Sequence, residues 1–481
     1  MWRLLLSYTL IVGVFGLIKP SFAQDVEQRS GLSDQKDLAV TIYNNNLALV
    51  KDQRRLQLKR GASSLAFRDV SARIRPETTL LRSLSAPGGL SVLEQNFDFD
   101  LLTPQKILEK YVGQTVSVVR THPTTGAETM ESAQVLSANE GVVLKIGNRI
   151  ETGMPGRVVY GVVPANLRDR PTLVMQINNT GSTAQDLELS YLTGGLSWRS
   201  DYVLELSANE DKLDMSGWVT LNNLSGTTYR NARLQLVAGD VNLARDTMRA
   251  SQTQVQMMAA PGEKPHQMKE EALFEYHLYT LNRRTTIAEN QTKQVALLSA
   301  SGVPMRKEFL LKGSDYYYQA SYADLGQKRK ISVFIEFDNK ESAQLGMPLP
   351  KGIARVYKKD NSGNAQFIGE DNIDHTPKNE KLRLKLGEAF DLTADKKQTD
   401  FKKLAGSSKY NYIFESAYEI LLKNAKQEAV TITVQEPMPG DWQIISSNYP
   451  ATKDASNTAV WKINVPAGGN SKLVYRSLVR Y

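Results

Sequence analysis

The chain of 481 residues has no cysteine and a formal net charge of +8. The missing cysteine excludes disulfides, thiolate catalysis, iron–sulfur clusters and zinc–thiolate sites, so the fold must be held by its cores. The positive excess is mild and spread along the sequence, which argues for a solvated basic surface and against a nucleic-acid binder, whose charge clusters on one face.

Met1-Trp2-Arg3 is a short basic start, and Leu4 to Ile18 is an apolar run too short for a confident membrane span. Lys19-Pro20 breaks it, and Ser21-Phe22-Ala23 puts small residues at the cleavage positions. This is a signal-peptide pattern, with cleavage expected before Gln24. It predicts an exported protein, periplasmic or extracellular, soluble and without a membrane span after cleavage. No cysteine follows the cleavage point, so a lipid anchor there is excluded.

Residues 24–37 are polar and read as disordered. From Leu38 the pattern is β-rich: Leu38 to Tyr43, a turn at Asn44-Asn45-Asn46, and a return from Leu47. Leu56-Gln57-Leu58 and Leu65-Ala66-Phe67 alternate in polarity around Gly61, as strands with one buried face do. One helix is predicted. Thr103 caps it, Pro104 opens it, Ile107, Leu108 and Tyr111 share a face, and Gly113 ends it. Short strands then recur between turn signals with no βαβ rhythm, which argues against a nucleotide-binding α/β fold. Residues 248–271 are rich in Gln, Met and Pro without a period, and read as a mobile loop. Strand patterns resume at Leu273 and run to Tyr481.

The expected architecture is mainly β. An N-terminal β-rich domain with one short helix spans 38–185. A C-terminal region of immunoglobulin-like β-sandwich spans 186–481, interrupted at 248–271.

Several stretches resemble one family. Phe367 to Lys378 and Leu386-Gly387-Glu388-Ala389-Phe390-Asp391-Leu392 look like the C-terminal signature of the bacterial family called domain of unknown function 4139. Pro348 to Tyr357 matches the strand before it, Gly195-Leu196-Ser197-Trp198-Arg199-Ser200-Asp201-Tyr202 an earlier part, and Asp69 to Thr78 the N-terminal region of exported members. The resemblance implies β-sandwich domains and export, and it implies no reaction and no catalytic residues. The mucoidy inhibitor A family is a more distant likeness; it has long coiled helices between its β parts, whereas this chain lacks heptads.

The densest polar constellation is Glu370, Asp371, Asp374, His375 and Glu380. Carboxylates with one imidazole can bind a cation or do acid–base work. The simpler account is a strand followed by a turn, with Asp374 accepting backbone N–H groups and His375 bracing the turn. Lys359 to Asn364 lacks the glycine and closing glutamate of a calcium loop and reads as a hairpin turn with Gly363 at positive φ. Tyr316-Tyr317-Tyr318 with Tyr322 is an aromatic cluster; such rings stack on sugars, with Tyr317 the test position, or pack on a core. Four histidines and no G-x-S-x-G make a His-based triad improbable, while paired-carboxylate chemistry depends on tertiary geometry.

The sequence therefore favours a non-enzymatic binding or scaffold protein of the bacterial envelope. The ligand-binding candidates are Glu370, Asp371, Asp374, His375 and Tyr317; no catalytic residue, metal or cofactor is assigned. The expected partner is an envelope protein or glycan, met through strand edges or aromatic anchors. The alternatives are a hydrolase of envelope polysaccharide or peptide that uses Glu370 and Asp374, and a cation-dependent adhesive module.

Overall fold

The computed structural model describes residues 27–44, 46–98, 100–164, 167–239, 241–242, 268–322 and 325–481. The leader, its cleavage point and most of the 248–271 segment lie outside them. The described chain is mainly β, with one α-helix and antiparallel pairing dominant. No helix among these residues is long and apolar enough to cross a membrane. By its contacts the chain divides into two units. One holds the described residues up to Lys36, Gln53–Val70 and Thr79–Leu189; the other holds Asp37–Asp52, Ser71–Thr78 and Ser190–Tyr481.

In the first unit, strand Gly61–Arg68 lies between Gln28–Ser30, which runs parallel to it, and Thr172–Asn179, which runs antiparallel; Leu90–Asp98 completes this four-stranded sheet. Residues 24–37, expected to be disordered, are thus ordered from Gln28. The cause is local: Gln28 to Ser30 find a strand edge, and the two oxygens of Glu27 meet Arg168, one at 2.9 Å and the other at 2.7 Å. Arg54 is fully buried beneath this sheet. Its guanidinium donates to the carbonyls of Ser30 and Arg68 and lies 3.7 Å from the centre of the Phe67 ring. Carbonyl dipoles and a ring face make a buried cation tolerable.

A five-stranded antiparallel sheet carries the helix Pro104–Lys110. The Thr103 hydroxyl accepts the Lys106 N–H, and proline needs no partner at the first position. Leu108 and Tyr111 enter the core with Val116, Val118, Val135 and Leu144. The Tyr111 hydroxyl donates to the Val162 carbonyl at 2.6 Å.

In the second unit, strand Tyr229–Ala238 pairs in parallel with the segment around Ala39 to Tyr43, and on its other side with the hairpin Met268–Leu273 and Tyr276–Leu281. Met268 to Glu271, expected to be loop, are strand because Met268 is buried opposite Leu281. A larger sheet runs through Ala365–Ile373, Gly352–Lys359, Leu196–Leu206, Lys212–Asn223 and the long strand Gln291–Lys312. It continues through Arg329–Asp338, Lys381–Leu404, Ile413–Asn424 and Asn470–Arg480 to Asp441–Ser447. The end of Gln291–Lys312 also pairs with Val430–Pro437, which pairs with Thr458–Val465. Those strands fold over the rest and close a sandwich.

Alternation places one face of each of these strands inward: Val430, Ile432 and Val434 meet Trp461, Ile463, Leu392, Ile420 and Tyr475 in one core. Trp461 is fully buried and Trp198 nearly so, while Trp218 stays over a third exposed.

Candidate functional site

The acidic constellation does not converge. Glu370 and Asp371 are neighbours on strand Ala365–Ile373 and so point to opposite faces. Glu370 is exposed and pairs with Arg355 at 3.1 Å. Asp371 gives both oxygens to backbone: one accepts the Asn372 N–H at 2.9 Å, the other the Lys385 N–H at 2.7 Å. Asp374 and His375 lie beyond the strand's end. The Asp374 carbonyl accepts the Thr376 hydroxyl, and Nδ1 of His375 accepts the Lys351 N–H at 3.2 Å. Glu380 is exposed, and its carbonyl accepts the Asn339 N–H. Among the described residues no group of three or more histidines and carboxylates stands where it would hold a metal ion.

Tyr317 is 2% exposed, so its ring offers no face to a sugar. It sits in the short 3-10 turn Asp315–Tyr318 rather than on a strand. Its hydroxyl accepts from Arg329, and its ring faces Lys396 at 4.2 Å. Tyr316 is the exposed member, edge-on to Tyr317 and Tyr322.

Two stretches that carry the family resemblance do meet. At Gly369 a Cβ would lie 2.6 Å from the Leu386 carbonyl oxygen, so glycine is what lets these backbones approach. Beside this contact is a cleft of about 230 Å³. Leu206, Phe309, Ile335, Ile368 and Leu386 make its apolar walls. Its charged rim is Glu210, Lys307, Glu388 and Lys426. Glu210 is held between Lys307 and Lys358. Burial pushes its carboxyl pKa up, and the hydrogen bonds from the two lysines outweigh that, so the net shift is down and it stays ionised.

The rim residue Glu388 and its neighbour Ala389, which also lines the cleft, lead into a bulge. Ser332 pairs with Glu388, and Lys330 with Thr393. Between these pairs one strand supplies Ile331 alone, and the other supplies Ala389, Phe390, Asp391 and Leu392. The surplus backbone lets Leu392 reach the core beside Ile331 and turns Phe390 outward. Phe390 is 96% exposed. The bulge is pinned to the cleft, since the Asp391 carbonyl accepts the Ala425 N–H at 2.9 Å and the Asp391 carboxylate lies 4.0 Å from Lys426.

The Gly195–Tyr202 stretch builds a buried charge centre on the same unit. Asp201 is 5% exposed and accepts from the Thr220 hydroxyl at 2.6 Å, Arg355 at 3.0 Å and Arg199 at 3.2 Å. Burial raises its pKa, and those three donors more than offset it, leaving the carboxyl below the usual range. Arg355 continues the chain to Glu370. In the first unit a second cleft of about 280 Å³ is lined by Arg29, Arg68 and Arg168. These pair with Glu27, Asp169 and Glu27 again.

No sequence motif marks the cleft or the Asp201 centre, because their residues come from strands far apart in sequence. One signal was present: Gly387 interrupts an otherwise regular strand pattern, as glycines at bulges do.

The family model described as Domain of unknown function (DUF4139) matches residues 187–481, which include the cleft, the bulge and the Asp201 centre. No curated protein matches the chain.

Proposed function

The chain belongs to the DUF4139 family, and from the cleft and bulge inside that region we propose that it is an exported, non-enzymatic binding protein of the bacterial envelope. An envelope protein is its partner. The carrying observation is Phe390, presented almost wholly to water by a bulge beside an apolar cleft. Leaving a phenylalanine exposed forgoes about 2 kcal/mol of burial. Isolated exposed apolar residues are common, but here a bulge does the exposing and an apolar cleft adjoins it.

Size favours a protein partner over a polysaccharide substrate. Cavities that enclose small ligands usually run to about 300–1,000 Å³, and a cleft near 230 Å³ suits one or two side chains. A partner's apolar side chain enters the cleft while Phe390 packs on the partner as an aromatic anchor. The rim carries both signs of charge, Glu210 and Glu388 with Lys307 and Lys426, and so suits a partner with mixed polar flanks. Of the two carboxylates of the hydrolytic reading, Glu370 and Asp374, Glu370 is engaged by Arg355. The leader before Gln24 would direct the chain out of the cytoplasm.

The test is cross-linking in intact envelopes, comparing the wild type with Phe390→Ser. A discrete partner that is reproducibly captured by the wild type and lost with F390S is expected. Capture that is indifferent to F390S would sink this site, and capture of abundant neighbours alone would sink the binding role.

A further inference from the structure

The sandwich core holds a lysine and a glutamate that the proposed binding role does not use. Lys396 stands on strand Lys381–Leu404 and Glu436 on strand Val430–Pro437; these strands are not hydrogen-bonded to each other, and their inward residues share one core. Lys396 Nζ lies 2.7 Å from Glu436 Oε2, and both side chains are 1% exposed. Tyrosine rings surround the ammonium, with the centre of Tyr317 at 4.2 Å, Tyr418 at 5.0 Å and Tyr318 at 6.0 Å. The Tyr318 hydroxyl donates to the same Oε2 at 3.0 Å and is hydrogen-bonded to the Tyr475 hydroxyl at 2.8 Å. Oε1 of Glu436 is buried and accepts no hydrogen bond from the described residues. Gly313 makes room for the carboxylate, because a Cβ there would run into it.

We propose that Lys396 and Glu436 form an intramolecular amide bond that staples these two strands across their shared core. The arrangement supplies each requirement of the condensation. The reactants are held in contact, which replaces a bimolecular encounter. Water is excluded, so the reverse hydrolysis lacks its reagent. Two ions in an apolar core are costly to desolvate, whereas a neutral amide removes both charges. Burial lowers the Lys396 pKa, to about 8, which helps make the neutral amine accessible.

The ammonium gives one proton to the carboxylate, leaving an amine and a carboxylic acid. The amine nitrogen attacks Cδ, and the carbonyl electron pair moves to Oε1. The protonated Oε2, which also accepts the Tyr318 O–H, is the leaving oxygen: the Oε1 pair re-forms the carbonyl, the C–Oε2 bond breaks, and Oε2 departs as water with the acid proton and one amine proton. The third hydrogen remains on the amide nitrogen. No oxidant, reductant or co-reactant is needed. Tyr318 is the residue that touches the reacting oxygen; Gly313 and Tyr475 are positioning residues. In a chain without cysteine, the bond would do what a disulfide does across a sandwich.

The experiment is mass spectrometry of the full purified chain, fresh and after long incubation at pH 8, followed by proteolysis under denaturing conditions. The expected result is a chain one water lighter than its sequence. The Lys396 peptide would be joined to the Glu436 peptide, and Lys396 would resist amine-reactive labelling in denaturant. Lys396→Met should have the unmodified mass. The wild-type measurement stands even if that variant does not fold. Recovery of both peptides free and of a labelled Lys396 after incubation would overturn the proposal, as would a water loss mapped to any other position.

Discussion

Replacing Asp201 by asparagine keeps its shape and removes its charge. The side chain is 5% exposed and takes hydrogen bonds from Thr220, Arg355 and Arg199. The Arg199 bond reaches a side chain that is 60% exposed and contributes little. The Thr220 hydroxyl still finds an amide oxygen. The main loss is the charge-assisted Arg355 bond, because the amide N–H₂ now faces the guanidinium, donor against donor. Hydrogen bonds to charged groups contribute about 1.5–3 kcal/mol and neutral ones about 1, so D201N should cost about 2 kcal/mol. The assay is urea unfolding followed by tryptophan fluorescence. Of five tryptophans, Trp2 lies in the leader, and Trp198, Trp218, Trp442 and Trp461 all belong to the second unit, so the signal reports that unit. The midpoint should fall by about 1 M for a slope near 2 kcal/mol/M. The carboxyl pKa is lowered in the fold, so its contribution is full above the unfolded value near 3.9 and is lost as pH falls through the folded value. The gap between wild type and D201N should therefore narrow below about pH 4. A cost under about 0.5 kcal/mol at pH 7, or a gap that widens in acid, would refute the reasoning.

Gly369→Ala should destabilise the second unit by about 1–3 kcal/mol, because φ is +153° and the new methyl meets the Leu386 carbonyl; an unchanged urea midpoint would contradict that packing. Phe390→Ser should leave stability within about 0.5 kcal/mol, since the ring is almost wholly in water; a larger drop in melting temperature would mean that the ring is packed. Tyr317→Ala should cost about 3 kcal/mol, as removal of a buried ring does; retention of the melting temperature would restore a surface role for Tyr317. Amino-terminal sequencing of the exported chain should begin at Gln24, and finding Met1 would remove the export argument.

Local rules carried the sequence reading where the structure is local. Thr103, Pro104 and Gly113 mark the helix because capping and backbone freedom act within one turn, and the structure places its ends at Pro104 and Lys110. The turn at Lys359 to Asn364 is likewise a short-range object: Asp360 accepts the Ser362 and Asn364 N–H groups, and Gly363 has φ +84°. The mainly β sandwich followed from alternation and spacing. Tyr317 shows where such rules stop. A run of tyrosines has the same composition whether it faces water or a core, and only the fold brings Lys396 beneath it. The cleft needed strands as distant in sequence as Leu206 and Lys426. The Phe390 bulge depends on how many residues the opposite strand offers, which one strand's pattern cannot reveal.

The measurement that tests the binding account most directly is a photo-reactive amino acid placed at position 390 in the intact envelope. Val474, 40% exposed on the strand Asn470–Arg480, is the control position. The account predicts one discrete adduct at position 390 that is absent from the control and is competed by unlabelled wild-type chain. The same diffuse adducts at both positions would contradict it.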